Sequence, residues 1–124
     1  ACNAFETADG SVVVDVITHD RMFDGQFDGP DGSRMSLERW TLPAGGTRVD
    51  RAVLDATGQE FPRIDERRTG QPHRYIYTMA TGETPSAPDT RLFKHDLDTG
   101  TRAIHDFGPG RHPGEFVFVP RDEN

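Results

Sequence analysis

The stretches GQEFPRID at residues 58–65 and PGEFVFVPR at residues 113–121 each place a Glu-Phe pair at the head of an apolar run. The two glutamates, Glu60 and Glu115, are 55 positions apart. Between them the same offset recurs in apolar and basic residues: Leu37, Arg39 and Leu42 against Leu92, Lys94 and Leu97. A period of about 50 residues that carries about four strands is typical of β-propeller blades. The sequence therefore predicts an all-β fold of about two blades, in which both glutamates approach the same central axis.

The length and composition indicate part of a larger propeller. The chain has 124 residues, of which only 33% are hydrophobic. Two blades cannot close a ring or cover their own outer faces. The chain also begins without Met and ends directly after an apolar run. We expect residues 1–57 to be the remainder of one blade, residues 58–112 the next blade, and residues 113–124 the first strand of a following blade.

The alternation of apolar and polar residues predicts the strands. They are expected at residues 11–17, 36–42, 48–54, 61–65, 75–80, 91–96 and 101–107. The run SVVVDVI at residues 11–17 is almost continuously apolar, which favours a strand buried on both faces. Residues 19–32 and 81–89 are rich in Asp, Gly, Pro and Thr and predict loops.

Charge and cysteine content narrow the class of partner and compartment. A net charge of -7 and a pI near 5.1 argue against nucleic acid, because binding the phosphate backbone requires a basic surface. Cys2 is alone, so it forms no internal disulfide, and a reducing, cytoplasmic location is expected. Its surroundings favour a small buried group over a reactive thiol. No apolar run has the length of a membrane span.

Two groups of residues have an alternative interpretation as metal sites. Three histidines have spacings of ten and seven, namely His95, His105 and His112. Because two of them fall on predicted hairpin strands and the spacing fits no compact zinc pattern, structural roles are favoured. Three aspartates lie among glycines: Asp24, Asp28 and Asp31. They lack the alternation and closing Glu of a calcium loop, so a solvated turn is favoured. His19 and His73 are interpreted as polar loop or strand-edge residues.

Several motifs together resemble a known family. They are NAFE at 3–6, HDRMFD at 19–24, SLERWTL at 36–42, EFPRID at 60–65, GQPHRYIY at 70–77 and GEFVFVPR at 114–121. The chain resembles the carboxy-terminal part of the carotenoid cleavage oxygenase family, which includes lignostilbene and apocarotenoid dioxygenases. The resemblance implies a seven-bladed propeller, in agreement with the period.

The resemblance also implies a chemistry for the full-length parent. The family is a group of non-haem Fe(II) dioxygenases that add O2 across a conjugated C=C double bond of a carotenoid, apocarotenoid or stilbenoid and form two carbonyl products. Four histidines hold the iron, and glutamates accept their outer ring N–H groups. By position, Glu60 and Glu115 match two of these glutamates, each orienting an iron-ligand His outside this chain.

The same resemblance places the four iron histidines before Ala1 or beyond Asn124. We therefore expect the chain alone to bind no iron and to be inactive, and catalysis to belong to the parent. The expected partners are O2, an apolar conjugated substrate and the rest of the propeller, with transient membrane contact. Two alternatives stay open: a non-catalytic propeller-type binding module and a free-standing all-β domain.

Overall fold

The computed structural model describes residues 2–19, 35–81 and 89–122. Within them the chain forms eight strands. They are β1 Asn3–Glu6, β2 Val12–His19, β3 Met35–Leu42, β4 Asp50–Asp55, β5 Gln59–Arg63, β6 Tyr75–Ala80, β7 Arg91–Asp96 and β8 Thr101–Asp106. A 3-10 turn, η1, covers Glu66–Arg68 between β5 and β6. No strand forms between residues 107 and 122, so the expectation of a strand at residues 113–124 was wrong within the described residues, where none of the eight strands pairs with this segment.

The strands form two four-stranded antiparallel sheets, ordered β1-β2-β3-β4 and β5-β6-β7-β8. Each strand pairs with its neighbour in sequence, as in a propeller blade. The prediction of an all-β chain with two blade-like sheets is confirmed. The division at residues 57 and 112 stays a prediction, because the ring that would define the blades lies outside this chain.

The two sheets meet through β5, which contacts β2 and β3 of the first sheet. The shared core is small: Leu37 comes from β3, Ile76 from β6, and Ile64 follows β5. Cys2, Ile17 and Leu97 pack against these three buried side chains. The edge strand that begins with GQEF is therefore also the strand that joins one sheet to the next.

Local sequence explains most of the strand boundaries. The turn between β3 and β4 contains Pro43 and closes with the Gly46 N–H donating to the Pro43 carbonyl at 3.0 Å. The turn between β7 and β8 contains Gly100 at φ 68°, in the left-handed region that glycine adopts without strain. The predicted bounds of β6 and β7 coincide with those observed.

Two further expectations were wrong in detail. β2 is central in its sheet, but it is not buried on both faces, because Val13 and Asp15 are buried whereas Val12 is 37% exposed. β5 begins at Gln59, before the predicted start at Phe61, because the polar Gln59 is buried through hydrogen bonds that an apolar pattern does not reveal.

Other expectations fall outside the described residues. The predicted loop at residues 19–32 lies largely there, together with the aspartates weighed as a calcium loop, and so does most of the loop at 81–89. Across the ranges that are described, no helix has the length and apolar character needed to cross a membrane.

Candidate functional site

Glu60 lies on β5 at an irregular point of the sheet. Its register partner is Met79 of β6, and a β-bulge follows before Arg63 pairs with Tyr77. Phe61, inside the bulge, has φ 52° and is the non-glycine residue with positive φ among those described. Such a backbone is unfavourable for a bulky side chain and is often found at functional sites. The half-buried Glu60 carboxylate has no hydrogen bond or ion pair with the described residues, so it is available to a donor outside them.

Glu115 lies close to the same strand, in the segment that follows β8. Its Oε1 is 3.9 Å from a guanidinium nitrogen of Arg63, and its side chain is 66% exposed. Further along the segment, the Phe118 ring lies 5.5 Å from the ring of Tyr77. Arg63 and Tyr77 are opposite one another across β5 and β6. The structure therefore brings the second Glu-Phe motif onto the strand pair that carries the first.

His95, His105 and His112, the candidate histidine cluster, lie in different surroundings. His95 on β7 is buried among polar groups of β5 and β6. His105 on β8 is exposed and packs its ring edge-on against Phe107 at 4.6 Å. His112 Nδ1 lies 3.5 Å from the carbonyl oxygen of Asp89. Throughout the described ranges, no group of three His, Cys, Asp or Glu side chains is arranged to hold a metal ion.

His73 is a polar loop residue, as predicted, but its burial was not foreseen. It lies in the loop before β6, but its side chain is only 2% exposed. Nδ1 lies 2.8 Å from the amide nitrogen of Asn3 and so accepts a hydrogen bond from it. Nε2 lies 2.7 Å from Oδ2 of Asp15, although it is not aligned for a hydrogen bond. His73 thus links the loop before β6 to β1 and β2 of the first sheet, a contact that the sequence pattern does not reveal.

Asp15 is the charged centre of this link. Its side chain is fully buried, and Arg39 donates to both carboxylate oxygens at 2.8 Å. Burial tends to raise the pKa of this carboxyl, but the hydrogen bonds from Arg39 and the contact with His73 outweigh it and hold the pKa below its usual value. Asp15 is therefore ionised at neutral pH, and the contact between the sheets is a charged one.

Cys2 has a packing role, as predicted, and is not a reactive thiol. It packs against the core, and its pKa is raised to about 12, chiefly by burial and also by the nearby Asp15 carboxylate. At neutral pH the side chain is a protonated thiol, which is a poor nucleophile. It acts as a small, partly buried group at the contact between the sheets.

Comparison with known proteins identifies the family. The family described as retinal pigment epithelial membrane protein matches residues 1–124. The chain is 40% identical over 115 residues to a carotenoid cleavage oxygenase of Mycobacterium tuberculosis, covering 88% of this chain and 23% of that protein. It is 31% identical over 127 residues to the apocarotenoid-15,15'-oxygenase of Synechocystis, covering 96% of this chain and 26% of the relative.

Solved structures give the same result at the level of the fold. A cobalt-substituted Synechocystis apocarotenoid oxygenase superposes with a TM-score of 0.81 at 29% identity, over 97% of this chain and 26% of that one. A chimera described as ACO/RPE65 superposes with a TM-score of 0.83 at 27% identity, over 99% of this chain and 27% of its own. The chain spans about a quarter of the length of the relatives it matches.

The fold and the comparisons define a fragment of a β-propeller. The chain belongs to the carotenoid cleavage oxygenase family, so the family resemblance drawn from its motifs is confirmed. The roles of Glu60 and Glu115 stay predictions.

Proposed function

We propose that this chain is part of a non-haem Fe(II) dioxygenase that cleaves a conjugated C=C double bond of a carotenoid, apocarotenoid or stilbenoid to two carbonyl products. Relatives that carry the names of carotenoid and apocarotenoid oxygenases support the reaction class. A solved relative described as cobalt-substituted supports a metal in the parent. When bound, Fe(II) would supply the activation of O2, whose two oxygen atoms enter the two carbonyl groups.

Glu60 and Glu115 are the residues of this chain that fit such a centre. The observation that carries the proposal is the Glu60 carboxylate, which is half-buried on a strained edge strand and is without a partner inside the described residues. A carboxylate so held can accept the outer ring N–H of a metal-bound His and fix which nitrogen faces the metal. Glu115 would do the same for a second His, with Arg63 beside it. The chain itself would hold no iron and would be inactive.

The proposal extends to the setting of the parent enzyme. Its substrates would be an apolar conjugated molecule and O2. The enzyme would be cytoplasmic and would contact a membrane transiently to take up the apolar substrate. Separation of cell extracts into soluble and membrane fractions at low and high salt tests the last two points. A parent that stays in the membrane fraction under all washes contradicts them.

Replacing either glutamate tests the proposed site directly. In the full-length protein, Glu60→Ala and Glu115→Ala should each lower metal affinity or turnover about 10- to 100-fold, the usual cost of losing a group that orients a metal ligand. Iron per chain and the rate of substrate cleavage are measured on the same preparations, with thermal unfolding as a check of folding. Glu66→Ala, which removes an exposed glutamate on η1, is the control. Wild-type iron content and rate in both test variants would refute the assignment.

The intact mass and iron content of the natural polypeptide test the reaction class. We expect a mass several times the 13.8 kDa of this chain and about one iron per polypeptide. A stable, iron-free product of 13.8 kDa would reject the dioxygenase and favour a non-catalytic module.

A further inference from the structure

Three polar side chains on adjacent strands form a buried network beside Glu60. Gln59 of β5 and Thr78 of β6 are fully buried, and His95 of β7 is 5% exposed. The Thr78 hydroxyl donates to Oε1 of Gln59 at 2.8 Å, and His95 Nε2 lies 2.8 Å from the same oxygen. The Gln59 amide nitrogen donates to the carbonyl of Thr57 at 2.9 Å. The Gln59 side chain is thus held at both ends.

The donors in this network can be assigned from chemistry. A glutamine carbonyl oxygen only accepts hydrogen bonds, so Thr78 and His95 both donate to it. The proton of neutral His95 is therefore on Nε2. A buried network whose polar groups are all paired favours one arrangement of the strands, because an arrangement that breaks it leaves a buried polar group without a partner.

The backbone at Gln59 is restrained from a second side. The Thr81 N–H donates to the Gly58 carbonyl at 3.0 Å. A side chain on Gly58 would place its Cβ 2.5 Å from Oγ1 of Thr81, a distance too short for real contacts. Any side chain on Gly58 would therefore force the Thr81 hydroxyl to move, so the network and this close approach together hold the start of β5 against the end of β6.

Glu60 depends on this backbone for its direction. Glu60 follows Gln59 on β5, so the two side chains lie on opposite faces of the sheet. Glu60 pairs in register with Met79 of β6. The left-handed Phe61 follows immediately. Because the Glu60 carboxylate has no side-chain or backbone partner among the described residues, its aim is set by the peptide units on either side of it.

We propose that Gln59, held by Thr78 and His95, is a positioning residue that fixes the backbone from which the Glu60 carboxylate projects. The inference rests on the proposed role of Glu60. It assigns Gln59 and its two partners to the function of the parent enzyme, although none of the three touches the metal or the substrate. Loss of the network should leave Glu60 present but misdirected.

The test uses the full-length protein and measures metal binding as well as stability. Gln59→Leu keeps the approximate shape and removes the hydrogen bonds, and Thr78→Val removes one hydroxyl if Gln59→Leu fails to fold. Thr78→Ser keeps the hydroxyl and should restore wild-type behaviour. Ile76→Val is the matched control, since Ile76 is buried on β6 and lies outside the network. Affinity for Fe(II) and the absorption spectrum of the cobalt-loaded protein are the readouts, with the unfolding midpoint recorded for each variant.

We expect Gln59→Leu and Thr78→Val to weaken metal binding several-fold and to alter the cobalt spectrum. Ile76→Val should preserve metal binding and the cobalt spectrum even where it lowers the unfolding midpoint as much as the test variants do. Glu60→Ala combined with Gln59→Leu should be no worse than Glu60→Ala alone, because both act through one carboxylate. Normal metal binding in Gln59→Leu and Thr78→Val, beside weakened binding in Glu60→Ala, would overturn the inference alone. Normal binding in Glu60→Ala would overturn the proposed function and the inference with it.

Discussion

At the scale of single residues, burial decides the charge of His95. Its pKa is lowered chiefly by burial and also by the positive charge of Arg102, while Asp55, with Oδ2 at 3.7 Å from Nδ1, acts in the opposite direction. The ring is therefore neutral at pH 7, which agrees with its donation of a single proton to Gln59. A charged ring would have to be accommodated inside the sheet.

This lowered pKa predicts a pH dependence of stability. The unfolded chain protonates His95 near its ordinary value of about 6.5, whereas the folded chain resists until a lower pH. The stability from this group is complete above about pH 6.5 and is lost as the pH falls from there toward the folded pKa. We expect the thermal unfolding midpoint of the full-length protein to fall between pH 7.5 and pH 5.5, and His95→Gln to reduce this slope.

The control for this prediction is His105→Gln, which replaces an exposed histidine on the neighbouring strand β8 and should leave the slope unchanged. Equal slopes for the wild type and His95→Gln would show that the protonation of His95 is not coupled to unfolding.

At the scale of elements, the Asn3 side chain ties β1 to the loop before β6 by hydrogen bonds, beside an edge-on contact between the Phe5 and His73 rings at 5.8 Å. The Asn3 amide nitrogen donates to the Gln71 carbonyl at 2.9 Å, and its oxygen accepts from the Gly70 N–H at 2.9 Å. A third contact goes to His73. One asparagine thus satisfies the backbone of the loop between η1 and β6 and fastens it to the neighbouring sheet.

Removing this amide should loosen the contact between the sheets. Asn3→Ala leaves the Gly70 N–H and the Gln71 carbonyl unpaired, and we expect a loss of about 1–3 kcal/mol because the groups are partly buried. This loss of unfolding free energy is measured from the first transition in urea unfolding of the full-length protein. Thr99→Ala, which removes an exposed hydroxyl contact in the turn before β8, should change stability by less than about 0.5 kcal/mol. Equal midpoints for Asn3→Ala and the wild type would contradict the predicted role.

The sequence pattern predicted the elements better than the contacts between them. β6 and β7 were predicted at their observed bounds, since apolar alternation and turn residues are local signals. The left-handed backbone of Phe61 and the early start of β5 were not predicted, because no local sequence pattern encodes a bulge that tertiary contacts impose. The burial of His73 was missed for the same reason, as its partner Asp15 lies on another sheet.

The sequence likewise predicted the residues of the candidate site but not the contacts around them. Glu60 and Glu115 were found because both occupy one phase of a sequence repeat and match family motifs. The strained Phe61 backbone and the Arg63 contact beside them appeared only in the structure. The network of Gln59 has no sequence signal, because polar residues at alternate strand positions normally indicate an exposed face.

At the scale of the whole molecule, two sheets carry apolar surface that they do not cover themselves. Val53 on β4 is 61% exposed, and Val117 and Val119 of the segment after β8 are 66% and 78% exposed. The outer strands β4 and β8 also leave hydrogen-bonding edges unpaired within the described residues. Exposed apolar side chains and open sheet edges favour association between chains.

The chain of 124 residues on its own should therefore be poorly folded or prone to aggregate. Analytical ultracentrifugation and thermal unfolding followed by circular dichroism test this, with the full-length protein as the reference. We expect oligomers or a broad, weak transition for the isolated chain. A monomer with a sharp cooperative transition would contradict the prediction.

The contacts that join the two sheets also order events during synthesis. Each sheet is built from neighbouring strands and can form as its own residues emerge, whereas the bond from Asn3 to His73 spans 70 positions. At about 5–20 residues per second, a ribosome takes roughly 4–14 s to cover that interval. Arg39 emerges well before His73 and pairs with Asp15 across β2 and β3. The nascent first sheet thus has its buried charge neutralised before the second sheet exists to receive it.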